Sequence, residues 1–165
     1  MTDAAADLIA LHDEHHAQLR ELLFQTLEQL VVVDVDGARL RFDRFVTELE
    51  AGLALEEDVV MPCYRVHGPA QGPGKPEIVD GDHVILRRGI QSVRELLAGA
   101  TALRPILEGL PHVYRLIGTL EHHTEREQRH VYPLVAQHLD GADRDRIVDA
   151  LRRILARLVD DGAAR

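Results

Sequence analysis

Cysteine is all but absent from this chain: Cys63 stands alone, so no disulfide can form within it. Tryptophan is missing and aromatic residues make up only 4% of the sequence, which leaves a core to be built from aliphatic side chains. Positive charge is also scarce. Nineteen Lys and Arg against 28 Asp and Glu give a formal net charge of -9. No basic block is present to neutralise phosphates, which argues against a nucleic-acid ligand. No apolar run approaches the roughly twenty residues needed to span a bilayer. The first residues, MTDAAADLIALHDEHH, hold neither a basic n-region nor a long apolar stretch. These absences predict a soluble, cytoplasmic protein with no membrane partner.

Histidine, by contrast, is abundant, with ten in 165 residues. That length fits a single domain spanning residues 1–165. Glycine and proline are bunched, and the bunches divide apolar-periodic segments from one another. Asp34 to Gly37 separates the first from the second, and the run HGPAQGPGKP from His67 to Pro76 ends the second. Arg104 to Pro111 separates the third from the fourth, with Pro111 suited to a first helical turn. Asp140-Gly141 stops the fourth. The expectation is all-α, with helices near residues 4–33, 39–65, 77–103, 111–139 and 143–160.

Each of the first four segments breaks its apolar stripe with a histidine or a glutamate. The first seam reads Ile9, His12, His16, Leu19, Leu23, Leu27, Leu30, and the second Phe42, Phe45, Leu49, Gly52, Glu56, Val60, Cys63. The third reads Val79, His83, Leu86, Ile90, Val93, Leu97, and the fourth Leu116, Leu120, His123, Glu127, Val131, Leu134. Carboxylates inside a core cost several kcal/mol each if unpaired. They call for cations, and a bound metal supplies them. His67, His112 and His138 fall in a loop or near predicted helix ends, where solvation is the ordinary fate.

The segment EHHTEREQRHVYP, Glu121 to Pro133, is the sharpest signal. His123 and Glu127 are four residues apart and share one helix face, and Pro133 follows Glu127 by six. Glu56 precedes Pro62 by the same six. His16 stands well upstream of Glu56, as His83 does of Glu127, so the chain reads as two halves. His16-Ala17-Gln18-Leu19-Arg20 also parallels His83-Val84-Ile85-Leu86-Arg87.

On those residues the sequence resembles the hemerythrin-like HHE cation-binding domains, over about residues 8–140. The resemblance implies an antiparallel, up-down four-helix bundle over about 4–139, followed by a short additional C-terminal helix at about 143–160. It also implies a non-haem di-iron centre bridged by carboxylates and oxygen. Residue by residue, it assigns His16 (or its neighbour His15), Glu56, His83, His123 and Glu127 as metal ligands.

One position departs from the pattern. Gly52 stands four residues before Glu56, where the resemblance implies a histidine. A one-metal or asymmetric site, a replacement ligand from His12, His15, Glu57 or a tyrosine, and a site without iron are all open. Imidazole and carboxylate donors without thiolate suit iron or manganese, with zinc competing where geometry is tetrahedral; the number, two irons, is what the resemblance implies. The resemblance implies a small diatomic or peroxide as the ligand of such an iron site. A metal-sensing or storage module, and a zinc-bound or metal-free helical protein, are the competing readings. The last segment, with Ile147, Leu151, Ile154, Leu155 and Leu158 on one face, is expected to cap the bundle or to join two copies, making a monomer or a homodimer.

Overall fold

The computed structural model describes residues 3–100 and 102–160, and every regular element among them is helical. Helix α1 runs Asp3–Val31 without a glycine or proline. Helix α2 runs Val35–Leu55 and continues through a widened π turn, Glu56–Val60, into α3, Met61–His67. Helix α4 covers Pro76–Gly99. Helix α5, Leu103–Arg126, passes through a second π turn, Glu127–Val131, into α6, Tyr132–His138, and α7 covers Gly141–Asp160. No helix among the described residues is long and apolar enough to cross a membrane.

The chain turns from α1 to α2 at Val33, a β-branched residue held at φ 62°. The Asp34 N–H reaches back to the Gln29 carbonyl at 2.8 Å, and the Asp34 carboxylate caps α2 by accepting from the Gly37 N–H at 3.0 Å. The glycine-rich loop before α4 is pinned by the Tyr64 hydroxyl, which donates to the Gly74 carbonyl, and by Arg126, which donates to the Pro73 carbonyl at 3.0 Å.

Helix α1 lies against α2 and α5, α4 lies against α5 and α2, and α7 packs on α1 and α2. The buried apolar residues fall into two clusters. The larger joins Leu19, Leu23, Phe42, Phe45, Leu49, Leu53, Leu86, Ile90, Val113, Leu116 and Leu120. The smaller joins Leu8, Val59, Val60, Tyr64, Val79, Val131, Tyr132, Val135 and Ile147. Between them each of the four long rods carries polar side chains: His12 to His16 on the first, Glu56 on the second, His83 on the third, His123 and Glu127 on the fourth.

Two expectations need correction. Pro111 does not open the fourth helix; α5 starts at Leu103 and Pro111 lies inside it. Fully buried Ile106, upstream of Pro111, ties this stretch into the larger cluster, so tertiary packing overrides the local proline signal. The break falls instead between Gly99 and Leu103, and His112 is mid-helix. The seams also shift. After each π turn the buried residues are Tyr64 rather than Cys63, and Val135 rather than Leu134, because the wide turn rotates the following face by one residue. On α1, Leu8 rather than Ile9 is buried.

Candidate metal centre

Both π turns begin at a glutamate and end two residues before a proline. Pro62 has no N–H to give, and in an α-helix its ring would press on the carbonyl of Asp58. The turn widens instead, so that the Met61 N–H bonds the Glu56 carbonyl. Pro133 imposes the same change, with the Tyr132 N–H bonding the Glu127 carbonyl. The six-residue Glu-to-Pro interval is thus the sequence trace of a π turn set at each carboxylate. Such turns recur at functional sites.

Glu56 and Glu127 face each other inside the bundle, both almost wholly buried. His12 Nε2 lies 3.0 Å from Glu127 Oε2, with His123 Nε2 at 3.2 Å and His16 Nε2 at 3.4 Å from the same oxygen. Around Glu56, His83 Nε2 is 3.3 Å and His123 Nε2 3.7 Å from Oε2, and His16 Nε2 is 3.9 Å from Oε1. These atoms form two groups that could each hold a metal ion: His12, His16, Glu56 and Glu127, and Glu56, His83, His123 and Glu127. Both glutamates belong to both groups.

Apart from the His12–Glu127 hydrogen bond, the donors leave polar atoms unsatisfied. Glu56 Oε2, His83 Nε2 and both ring nitrogens of His123 are buried with no hydrogen-bond partner. Native interiors rarely leave such atoms orphaned. Nitrogen and carboxylate oxygen, free of thiolate and aimed at common points, fit cations of the iron, manganese or zinc type.

Further residues set the tautomers of the imidazoles. The Thr124 hydroxyl donates to the Leu120 carbonyl at 2.8 Å, so at 2.7 Å from His16 Nδ1 it accepts. His16 therefore carries its proton on Nδ1 and turns the Nε2 lone pair inward. His83 Nδ1–H donates to Glu57 Oε1 at 3.0 Å, and Arg87 donates to the same oxygen at 2.8 Å. His12 Nδ1–H donates to Asp13 Oδ1 at 3.2 Å, and Gln128 donates to that oxygen at 3.0 Å. Partners of this kind orient metal-ligating imidazoles. The Tyr132 ring lies over His12, 3.9 Å between centroids, and holds it from the other side.

Electrostatics separate the two carboxylates. Burial and the nearby charge of Glu56 push the Glu127 carboxyl well above the usual range. Burial acts the same way on Glu56, but its contacts with His16 and His83 outweigh it and hold the carboxyl well below. Glu127 thus keeps a proton, shared with His12 Nε2, while Glu56 is an anion. His83, though buried, is raised to about 9 by Glu56 and Glu57. Burial drives His123 well below its ordinary value. A divalent cation would take the place of the shared proton.

Of the residues expected from sequence, His16, Glu56, His83, His123 and Glu127 meet in this cluster, and His12 joins them. His15 is buried beside it but belongs to neither group; its ring lies against Gly52. Glu57 supports His83 rather than entering the groups. Thr124, Asp13, Glu57 and Tyr132 in these supporting positions have no spacing signal in the sequence. His67 and His138 stack on each other at 4.0 Å, exposed and apart from the cluster. An open cleft of about 450 Å³ between α1 and α5 reaches His16 and Thr124 past Asp13, Ala17 and Gln128.

The family model described as Hemerythrin HHE cation binding domain matches residues 7–135. Comparison with curated proteins and with solved structures gave no match.

Proposed function

This chain belongs to the hemerythrin HHE cation-binding domain family, and from that premise we propose that it is a non-haem di-iron protein that binds or reacts with oxygen, peroxide or nitric oxide. The observation that carries the reading is the sharing of Glu56 and Glu127 between two donor groups. Two carboxylates common to two sites suit a pair of neighbouring cations, one held also by His12 and His16, the other by His83 and His123. The four long rods cross from one apolar cluster to the other in alternating order, Leu8 to Leu19, Leu53 to Val59, Val79 to Leu86 and Leu120 to Val131. That order supports an antiparallel four-helix bundle with α7 as an added helix.

Bound iron would supply the binding and redox chemistry of a small oxygen or nitrogen ligand. The protein's own part is to hold and shield. Thr124, Asp13 and Glu57 keep Nδ1 of His16, His12 and His83 protonated and their Nε2 atoms turned inward. Apolar clusters on both sides exclude bulk water. The cleft beside His16 and Thr124 gives a small ligand its approach.

Elemental analysis and a visible spectrum of protein purified without a histidine tag test the reading. Two irons per chain, one for each donor group, with near-ultraviolet and visible absorption, are expected. His123→Ala and Glu127→Ala should lose metal, whereas His67→Ala and His138→Ala should not. A colourless protein carrying zinc, or equal metal content in all four variants, would refute it.

A further inference from the structure

Gly52 stands one turn before Glu56 on α2, as His123 stands one turn before Glu127 on α5. The space that its missing side chain leaves is filled from another helix. A Cβ built on Gly52 would lie 2.6 Å from Cε1 of His15, 3.4 Å from its Nδ1 and 3.6 Å from its Nε2. The imidazole from α1 therefore lies edge-on against the bare backbone of α2, an approach that glycine alone permits. A glycine in mid-helix is unfavourable by propensity, so the approach has to be compensated by what it allows.

His15 is 1% exposed. Its ring bonds the backbone of Glu48, one turn before Gly52, while its Nε2 is buried with no partner. The ring lies across Gly52, one turn before Glu56, and is close enough for the Glu56 charge to act on it. The neighbouring His16 ring, 5.5 Å away, belongs to the first donor group. A residue needed only for bulk would leave no lone pair orphaned here. Buried acceptors without partners are disfavoured unless something binds them.

Resting on the two-metal reading above, we propose that His15 and Gly52 are an exchanged pair: His15 delivers from α1 the imidazole that the repeat places at position 52 of α2. Its Nε2 is a further nitrogen donor to the cation held by His12, His16, Glu56 and Glu127. The first half of the chain then supplies three imidazoles, His12, His15 and His16, all from α1, against His83 and His123 from the second half. Gly52 is then required to be small because His15 occupies its side-chain space.

Cobalt(II) is the probe, added to tag-free, metal-stripped protein and followed by its visible absorption, by stoichiometry and by thermal melting. Wild type should bind two cobalt ions, one per donor group. His15→Phe keeps a buried ring without a lone pair, and should weaken one of the two by at least about tenfold and change its spectrum. Gly52→His alone should lower the melting temperature, because two rings compete for one space. His15→Ala combined with Gly52→His should recover the melting temperature, the second cobalt and its spectrum together. If His15→Phe unfolds, the exchanged variant decides. Wild-type affinity and spectrum in His15→Phe would overturn the proposal, as would an exchanged variant no better than Gly52→His. Failure of the wild type to bind two cobalt ions would instead remove the two-metal reading, and this proposal with it.

Discussion

Replacing Glu127 by glutamine should leave the metal-free protein nearly unchanged and abolish its stabilisation by metal. In the metal-free fold this carboxyl is already neutral, because burial and the charge of Glu56 hold its proton on. A glutamine of the same shape can donate to His12 Nε2, 3.0 Å away, as the protonated carboxyl does. The change without metal should therefore stay within about 1 kcal/mol. A cation that binds only the folded state at a hundred times its dissociation constant adds about 2.7 kcal/mol. For a chain of this length 1 kcal/mol moves the melting temperature by about 2–4 °C, so losing one of the two cations should lower it by roughly 5–10 °C, and chelating both by about twice that. Glutamine removes the anionic oxygen shared by both groups, and each tenfold loss of affinity takes away about 1.4 kcal/mol of that gain. Scanning calorimetry with and without chelator measures both quantities. Glu56→Gln is the contrast: Glu56 is an anion facing His83 and His16, so its loss should destabilise the metal-free protein as well. A Glu127→Gln variant destabilised by more than about 2 kcal/mol without metal, or one that keeps the full metal-dependent gain, would refute the reasoning.

The metal-free protein should be most stable near neutral pH and lose stability on both sides. Burial lowers His15 to about 3 and His123 well below 6.5, so as pH falls below 6.5 the unfolded chain takes up protons that the fold refuses. Glu56, held low, adds to that loss below about 4.5. His83 is raised to about 9, so its contribution is complete below 6.5 and disappears as pH rises through 9, and the raised Glu127 acts in the same sense. Urea midpoints of chelated protein from pH 5 to 9 should trace a dome, and a flat profile would contradict it. Separately, Arg157→Ala should destabilise the fold by about 1–3 kcal/mol, after allowance for a half-exposed arginine. Arg157 Nη2 and Nε donate to the two buried oxygens of Glu48 at 2.7 and 3.2 Å, pinning α7 on α2. A melting temperature unmoved by that substitution would show that water satisfies Glu48.

The sequence by itself determined what depends on spacing within one helix. His123 and Glu127 four apart had to share a face, and the seams carrying Glu56 and His83 had to bury them wherever the flanking Leu and Val went. An all-helical chain follows from the same periodicity. Each Glu-to-Pro interval was visible too, but its meaning lies in the π turn that the proline forces, and with it the one-residue change of face that buries Tyr64 and Val135. Tertiary structure alone decided the roles on α1. His12, His15 and His16 lie within one broad helical face, since residues three and four apart are neighbours. Local spacing gives all three equal claim. How α1 seats against α5 and α2 brings His12 and His16 to Glu127 and lays His15 on Gly52. Thr124 and Glu57 were unreadable as partners for the same reason: a hydrogen bond between residues 108 or 26 apart leaves no period in the chain, and only packing selects the partner.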